Sequence, residues 1–448
     1  MENHLHEWAH LLLRWIHFIV GVAWIGASFY FNWLENRLDR RAPRPGVAGD
    51  LWAVHGGGFY HLQKFETAPD ALPPQLHWFK WEAYTTWLSG FALLVMVYYM
   101  NAAAFLLDAD ATVELNAWQG IAIGVGALVV SWLAYDALCR SRLRRAPLQL
   151  AAVVFACLTA LAWALSELLS GRAAYIHTGA AIGSIMVGNV LFVIIPAQNK
   201  MVAALTAGRA VDPARGAAAL LRSRHNNYLT LPVLFIMVSV HFPATYAHAW
   251  NWAILAAIGA AGWLARHYFN VRHLRRRAAV WLLVAGFAIL AATAWVTAPR
   301  LSVGPVGTAG PVPGQHAAAN AAADSAEHIP APALADITVI VQTRCAACHA
   351  RQPSQAGFYA PPAGIALESA AAVQRYAPRI FATTVATRSM PIGNLTAMTE
   401  AERALIAAWY TARAAIDTAA KTTAETAAKT ATDTAAETTA ESATQSPP

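Results

Sequence analysis

Eight stretches of the chain are apolar over lengths near the roughly 20 residues that carry a helix across a hydrocarbon core. They fall at 9–31, 82–101, 118–138, 148–168, 176–196, 227–246, 250–266 and 279–298. A bilayer offers no partner to backbone N–H and C=O groups, so segments this apolar are expected to be helices. The pattern changes after residue 298. Residues 299–335, including GPVGTAGPVPGQ, have no hydrophobic period and read as a flexible linker. An ordered segment is expected over 336–413. Within it, the spacing from Glu400 to Tyr410 predicts a helix that turns Leu405, Ile406 and Trp409 inward. Residues 414–448 are mostly Ala, Thr, Glu and Lys; without large apolar side chains they cannot bury a core and are expected to be a disordered tail. The expected fold class is therefore all-α. A polytopic membrane bundle of eight transmembrane helices occupies residues 1–298, and a small α-helical domain occupies residues 336–413.

Composition sharpens this picture. Hydrophobic residues make up 57% of the chain, charged residues 13%, and there are 17 tryptophans. That excludes an ordinary soluble protein and fits aromatic belts at two bilayer faces. A net charge of +7 could point to nucleic acid, but the basic residues sit in short clusters between apolar runs, so no nucleic-acid partner is expected. The first loop carries Arg37, Arg40, Arg41, Arg44, Lys64 and Lys80. The third carries Arg140, Arg142, Arg144 and Arg145. Lys200, Arg209, Arg215, Arg222 and Arg224 mark the fifth, and Arg266, Arg272, Arg275, Arg276 and Arg277 the seventh. The even loops offer only Arg172. By the positive-inside rule the odd loops are cytoplasmic, which puts both termini in the periplasm of a bacterial inner membrane. The N-terminus, MENHLHEWAH, lacks the basic n-region of a removable signal peptide.

Of four cysteines, two form a motif: Cys345-Ala346-Ala347-Cys348-His349. C-x-x-C-H is the attachment sequence for haem c. Cys345 and Cys348 would form the two thioethers, and His349 would bind the iron. A zinc site would want further Cys or His ligands nearby, and none follow. Met390, in Arg388-Ser389-Met390-Pro391, is expected to be the sixth ligand, with Met398 as its competitor. The ordered segment is thus expected to be a class I-like cytochrome c domain. Haem is attached covalently on the periplasmic side, where the charge pattern independently places this end of the chain.

The first helix reads LLLRWIHFIVGVAWIGASFYF, the second begins HWFKWEAYTTWLSG, and VHGGGFYHLQKF lies between them. Together with TRSMPIGNLTAMTEAER near the C-terminus, these segments resemble the membrane-bound urate hydroxylases of the PuuD type, over about residues 6–412. The resemblance implies oxidation of urate to 5-hydroxyisourate in purine catabolism. It further implies that electrons pass to cytochrome c, and so to a soluble or membrane cytochrome or a terminal oxidase, rather than directly to dioxygen. The first helix is also similar to that of the HemJ-type protoporphyrinogen oxidases, in which a first-helix histidine binds haem b; the matching position here is His17.

Ionisable groups inside a bilayer are costly, and each is a functional candidate. Arg14 and His17 share a helix face that His10 extends. His17, His177 and His241 all fall in the periplasmic halves of their helices, where two of them could hold a second haem, of b type, or another metal. Electron counting motivates this: urate gives up two electrons and a haem takes one at a time. The first cytoplasmic loop gathers His55, three glycines (Gly56 to Gly58), His61, Lys64, Glu66, His77, Lys80 and Glu82. The glycines would let backbone approach a ligand; Lys64 or Lys80 could bind the urate anion, and a histidine could act as base. No single catalytic base is singled out among Arg14, His17, His55, His61, Lys64, His77 and Lys80. His225, His248, His267 and His273 are expected at the surface. The competing function is a membrane-anchored electron-transfer cytochrome fed by quinol or a partner dehydrogenase. A transporter is disfavoured by the lack of an internal repeat.

Overall fold

In a computed structural model of the chain, the described residues are 2–41, 43–108, 113–274, 276–298, 332–358 and 361–414. Most of the expected linker, 299–331, and the expected tail from 415 onward lie outside them. The chain divides into two compact units, Met1–Ala298 with Ile392–Leu395, and Pro299–Pro391 with Thr396–Pro448.

The first unit opens with α1 (Glu2–Arg37), followed by strands β1 (Val47–His55) and β2 (Gly58–Phe65). Next come α2 (Trp81–Leu94), which runs on as a π-helical turn over Val95–Tyr99, and the short α3 (Ala102–Phe105). Then follow α4 (Ala117–Arg140), α5 (Pro147–Leu168) and α6 (Gly171–Gly188); α6 continues through a π segment, Asn189–Ile194, into α7 (Ile195–Thr206). The unit closes with α8 (Pro213–Ser239), the short α9 (Pro243–Tyr246), α10 (Asn251–Val271) and α11 (Arg276–Thr297).

Among the described residues, five helical stretches are long and apolar enough to cross a membrane: Leu5–Arg37, Ala117–Arg140, Pro147–Leu168, Gly171–Thr206 and Arg277–Thr297. The three other stretches expected as spans are helical as well, in α2 with its π turn, α8 and α10. The apolar part of the Gly171–Thr206 stretch is the spine of the unit and mostly buried, whereas the apolar parts of α1 and α11 are mostly exposed. Glycines let neighbours press against this spine. A Cβ at Gly179 would stand 2.5 Å from Ile236 Cγ2, and one at Gly188 2.6 Å from the Trp132 ring. Close backbone approach at small residues is how helices associate where lipid supplies no hydrophobic contrast. The outer helices instead show large apolar side chains: Trp15, Phe18 and Val22 on α1, and Trp281, Phe287 and Trp295 on α11.

Two features differ from the hydropathy reading. The sixth apolar run, 227–246, covers the second half of a longer helix, the turn that ends it and the short α9. α8 starts at Pro213, where the Asp212 carboxylate accepts the Ala214 N–H at 3.0 Å, an N-cap followed by a proline that lacks the unneeded donor. Its first half is polar, which hid it from an apolar scan. The all-α expectation also misses an antiparallel hairpin, β1 paired with β2, with His55 opposite Gly58.

In the second unit, α12 (Leu334–Arg344) leads into the single turn α13 (Ala346–His349). After these come α14 (Ala370–Arg375) and α15 (Ala377–Phe381), with a π turn over Ala382–Ala386, and a final helix, α16, over 400–414. Ile337 and Val341 of α12, Val373 of α14, Ile380 of α15, and Ile406 and Trp409 of α16 form one apolar core. α16 begins with a reciprocal cap: the Thr399 N–H donates to Glu402 Oε2 at 2.7 Å and the Glu402 N–H to Thr399 Oγ1 at 3.2 Å. Glu402 also accepts from Arg344 Nε at 2.9 Å, which ties the end of α12 to the start of α16.

Candidate functional site

The C-x-x-C-H turn is built by backbone bonding. The Cys345 N–H donates to the Val341 carbonyl at 2.8 Å and so ends α12; the Cys348 and His349 N–H groups both donate to the Cys345 carbonyl, at 3.2 and 2.8 Å. Both thiols and the imidazole therefore belong to one turn. His349 Nδ1 faces the Ile365 carbonyl at 2.9 Å. A carbonyl can only accept, so Nδ1 carries the proton and Nε2 presents a lone pair, the tautomer an iron ligand needs. The cysteines are unpaired. Burial, aided by Cys348 alongside, pushes the Cys345 thiol up to about 12, and burial raises Cys348 to about 11. Two unpaired thiols in an apolar setting beside an imidazole of fixed tautomer fit a covalently held haem. Of the two methionines, Met398 is 3% exposed within the apolar core. Met390 is half-buried. Its backbone is pinned, its N–H on the Thr383 carbonyl and its carbonyl on Arg403 Nη1, each at 3.0 Å.

In the membrane unit the candidate histidines go to separate places. His17 Nδ1 lies 3.0 Å from the Thr86 carbonyl and 3.1 Å from Ser89 Oγ on α2. Gly90 makes room for it: a Cβ there would stand 2.8 Å from His17 Cε1. His177 is wholly buried in α6, with Nδ1 2.8 Å from the Ala173 carbonyl and Nε2 3.2 Å from the Tyr99 hydroxyl. In both rings Nδ1 donates to a carbonyl, so Nε2 is the nitrogen free to accept. His241 sits exposed in the turn after α8. Among the described residues no group of three or more His, Cys, Asp or Glu side chains converges as a metal site.

The first-loop residues lie on and beside the hairpin, several of them already partnered. Gly56 and Gly57 take φ of +57° and +81°, the left-handed pair that a two-residue hairpin turn requires. The turn alone accounts for these two backbone conformations. His61 Nε2 is 2.6 Å from Asp50 Oδ2 and the ring stacks on Trp52, centroids 4.4 Å apart. Lys64 is paired with Glu35 at 2.6 Å, and Lys80 lies 5.6 Å from the centre of the Trp81 ring. His77 packs edge-on against Phe79, and His55 is exposed at the turn.

A buried polar network lies instead where α4, α6, α8 and α10 meet. Arg222 and Arg266 were expected in cytoplasmic loops, but both sit inside helices and are buried. Arg222 Nη2 donates to Asp136 Oδ1 at 2.6 Å, and its Nη1 to Asn189 Oδ1 at 3.2 Å. Asn189 Nδ2 reaches both Tyr135 Oη, at 3.1 Å, and Asn226 Oδ1, at 2.8 Å. His225, expected at the surface, is within the network, its Nδ1 2.7 Å from the Tyr135 hydroxyl. One turn away, Arg266 Nε and Asn270 Nδ2 both donate to Asn227 Oδ1 at 3.0 Å, and the Arg266 guanidinium lies 4.0 Å from the centre of the Phe29 ring. The signal was present in the sequence: Asp136 interrupts an apolar run, and Arg222-Ser-Arg-His-Asn-Asn-Tyr228 is too polar for a lipid-facing surface.

The family model described as urate oxidase N-terminal matches residues 3–298. No curated protein and no solved structure matches the chain.

Proposed function

The chain belongs to the urate oxidase N-terminal family, and on that premise we propose that it is a membrane-bound urate hydroxylase that exports electrons through its own C-terminal cytochrome domain. The observation that carries the reading is the family match, because it spans the whole membrane unit. Conversion of urate to 5-hydroxyisourate takes the added oxygen from water and releases two protons and two electrons. Membrane-spanning helices in the first unit and the C-x-x-C-H turn in the second support a substrate site in one and an electron exit in the other.

For the exit, Cys345 and Cys348 would hold a haem c through thioethers, and His349 and Met390 would be its iron ligands. Bound there, a haem c would accept electrons singly and pass them to a cytochrome or terminal oxidase. The chain's own contribution is to fix the imidazole through the Ile365 carbonyl and to enclose the thiols in apolar surface. Eight spans, with both termini periplasmic, would put this domain where covalent attachment takes place.

Purified full-length protein, given urate and an oxidised soluble cytochrome c, tests the proposal. The expected result is two reduced acceptors per urate consumed and product oxygen labelled from H₂¹⁸O. Label derived from dioxygen, with the acceptor left oxidised, would overturn it.

A further inference from the structure

Near the start of the membrane unit, two arginines approach one another with no acid between them. Arg14 of α1 and Arg172 of α6 lie within electrostatic reach of each other and of the Tyr98 phenol. His10 lies within reach of both arginines, and Tyr246 of α9 within reach of Arg172 and Tyr98. Among the described residues, neither guanidinium has a carboxylate at ion-pair distance. Arg14 spends its Nε on His10 Nε2, at 2.7 Å, and keeps its terminal amino groups. Arg172 rests on the Phe105 ring, 5.6 Å from its centre, and its Nε is buried with no hydrogen-bond partner. Tyr98 is 4% exposed, and its buried hydroxyl lies beside Arg172 without a well-formed hydrogen bond.

Like charges this close destabilise one another unless an anion lies between them, and a buried donor without an acceptor is costly. The contrast with Arg222 is direct, since that guanidinium is neutralised by Asp136. Among the described residues no acid supplies that partner to Arg14 or to Arg172, which points to an anion from outside the chain. It must be an anion with several acceptor atoms, to engage two planar guanidinium forks and a phenol, and it must tolerate aromatic neighbours. The start of α6 adds the positive end of a helix dipole, because Arg172 is its second residue.

We propose that Arg14, Arg172 and Tyr98 form the binding site for the purine monoanion oxidised by this chain, an assignment that rests on the urate reading above. Urate has carbonyl oxygens and ring nitrogens along its edges, which suit bidentate guanidinium contacts. By the charge rule α1 begins on the periplasmic side, so the substrate enters from that side and its electrons need not cross the bilayer.

Equilibrium dialysis of radiolabelled urate against the purified full-length protein, with its haem chemically reduced to block turnover, measures binding apart from activity. Arg172→Gln and Arg14→Gln are each expected to weaken binding about tenfold or more, as loss of a charge-assisted contact requires. Tyr98→Phe is expected to weaken it by a few fold, and Arg172→Lys to retain part of the affinity while losing the fork geometry. Steady-state KM should rise in parallel at unchanged haem content. Wild-type affinity in both glutamine variants would overturn the site while leaving the urate reading intact. Should Arg172→Gln fail to fold, unchanged affinity in both Arg172→Lys and Tyr98→Phe would overturn it equally. A wild-type protein that neither binds nor oxidises urate would overturn the functional reading and this site together.

Discussion

Replacing Asp136 by leucine should destabilise the membrane unit sharply, and replacing Arg222 at the same time should repair most of the damage. The Asp136–Arg222 pair is 2.6 Å long, with Arg222 5% exposed and Asp136 17% exposed. Asp136→Leu alone leaves the Arg222 guanidinium buried with only the Asn189 carbonyl and the Trp132 and Tyr135 rings as partners. Breaking a buried ion pair from one side costs about 3–5 kcal/mol, because the remaining charge keeps its desolvation penalty. For a unit of this size that corresponds to a fall in apparent Tm on the order of 5 °C or more. Arg140, which also binds Asp136 at 2.7 Å, is 72% exposed, so its loss adds little. The double variant Asp136→Leu/Arg222→Met removes both charges and should recover to within about 1–2 kcal/mol of wild type, since apolar replacements of buried pairs are often near neutral. Thermal unfolding of the detergent-solubilised protein, run as a double-mutant cycle, measures the coupling. A single-variant loss below about 1 kcal/mol, or additive effects of the two substitutions, would refute the idea that this pair anchors α4 to α8.

Other outcomes follow from individual contacts. His349→Ala should abolish urate-dependent reduction of external cytochrome while the membrane helices remain inserted; normal urate consumption with dioxygen would make the cytochrome domain an accessory. Gly124→Ala should destabilise by about 1–3 kcal/mol through overpacking, because the new Cβ would stand 2.7 Å from His177 Nε2 and 2.9 Å from the Tyr99 hydroxyl; thermal unfolding reads the effect. In the second unit, burial opposes ionisation of Glu402, but hydrogen bonds from Thr399 and Arg344 outweigh it and hold the carboxyl below its ordinary 4.5. The stabilisation is therefore complete above that value and is lost as pH falls through the lower folded-state value. Glu402→Gln should be less stable than wild type at neutral pH and converge with it in acid; a pH-independent difference would contradict this.

The sequence was readable where one physical rule dominated. Backbone satisfaction in lipid makes an apolar run of about 20 residues a helix, and every such run is helical in the structure. The rule was blind to polar helix, so the first half of α8 and the residues it buries went unseen. Arg222, Arg266 and His225 looked like loop or surface groups because charge was counted along the chain; their partners, Asp136, Asn227 and Tyr135, are distant in sequence. The hairpin glycines were ambiguous for a related reason. Gly56 and Gly57 are conformationally free whether they serve a turn or a ligand, and only the pairing of β1 with β2 distinguishes the two uses. The C-x-x-C-H motif can be read as a candidate because its residues are adjacent in sequence, whereas Arg14 and Arg172 belong to helices more than 150 residues apart.

The most direct test is anaerobic addition of urate to membranes in which this protein is the only cytochrome. The account predicts that the oxidised haem c spectrum changes to the reduced form at a rate set by urate concentration. A spectrum that stays oxidised with urate, yet is reduced by added quinol, would mean that the chain carries electrons for another donor and does no urate chemistry.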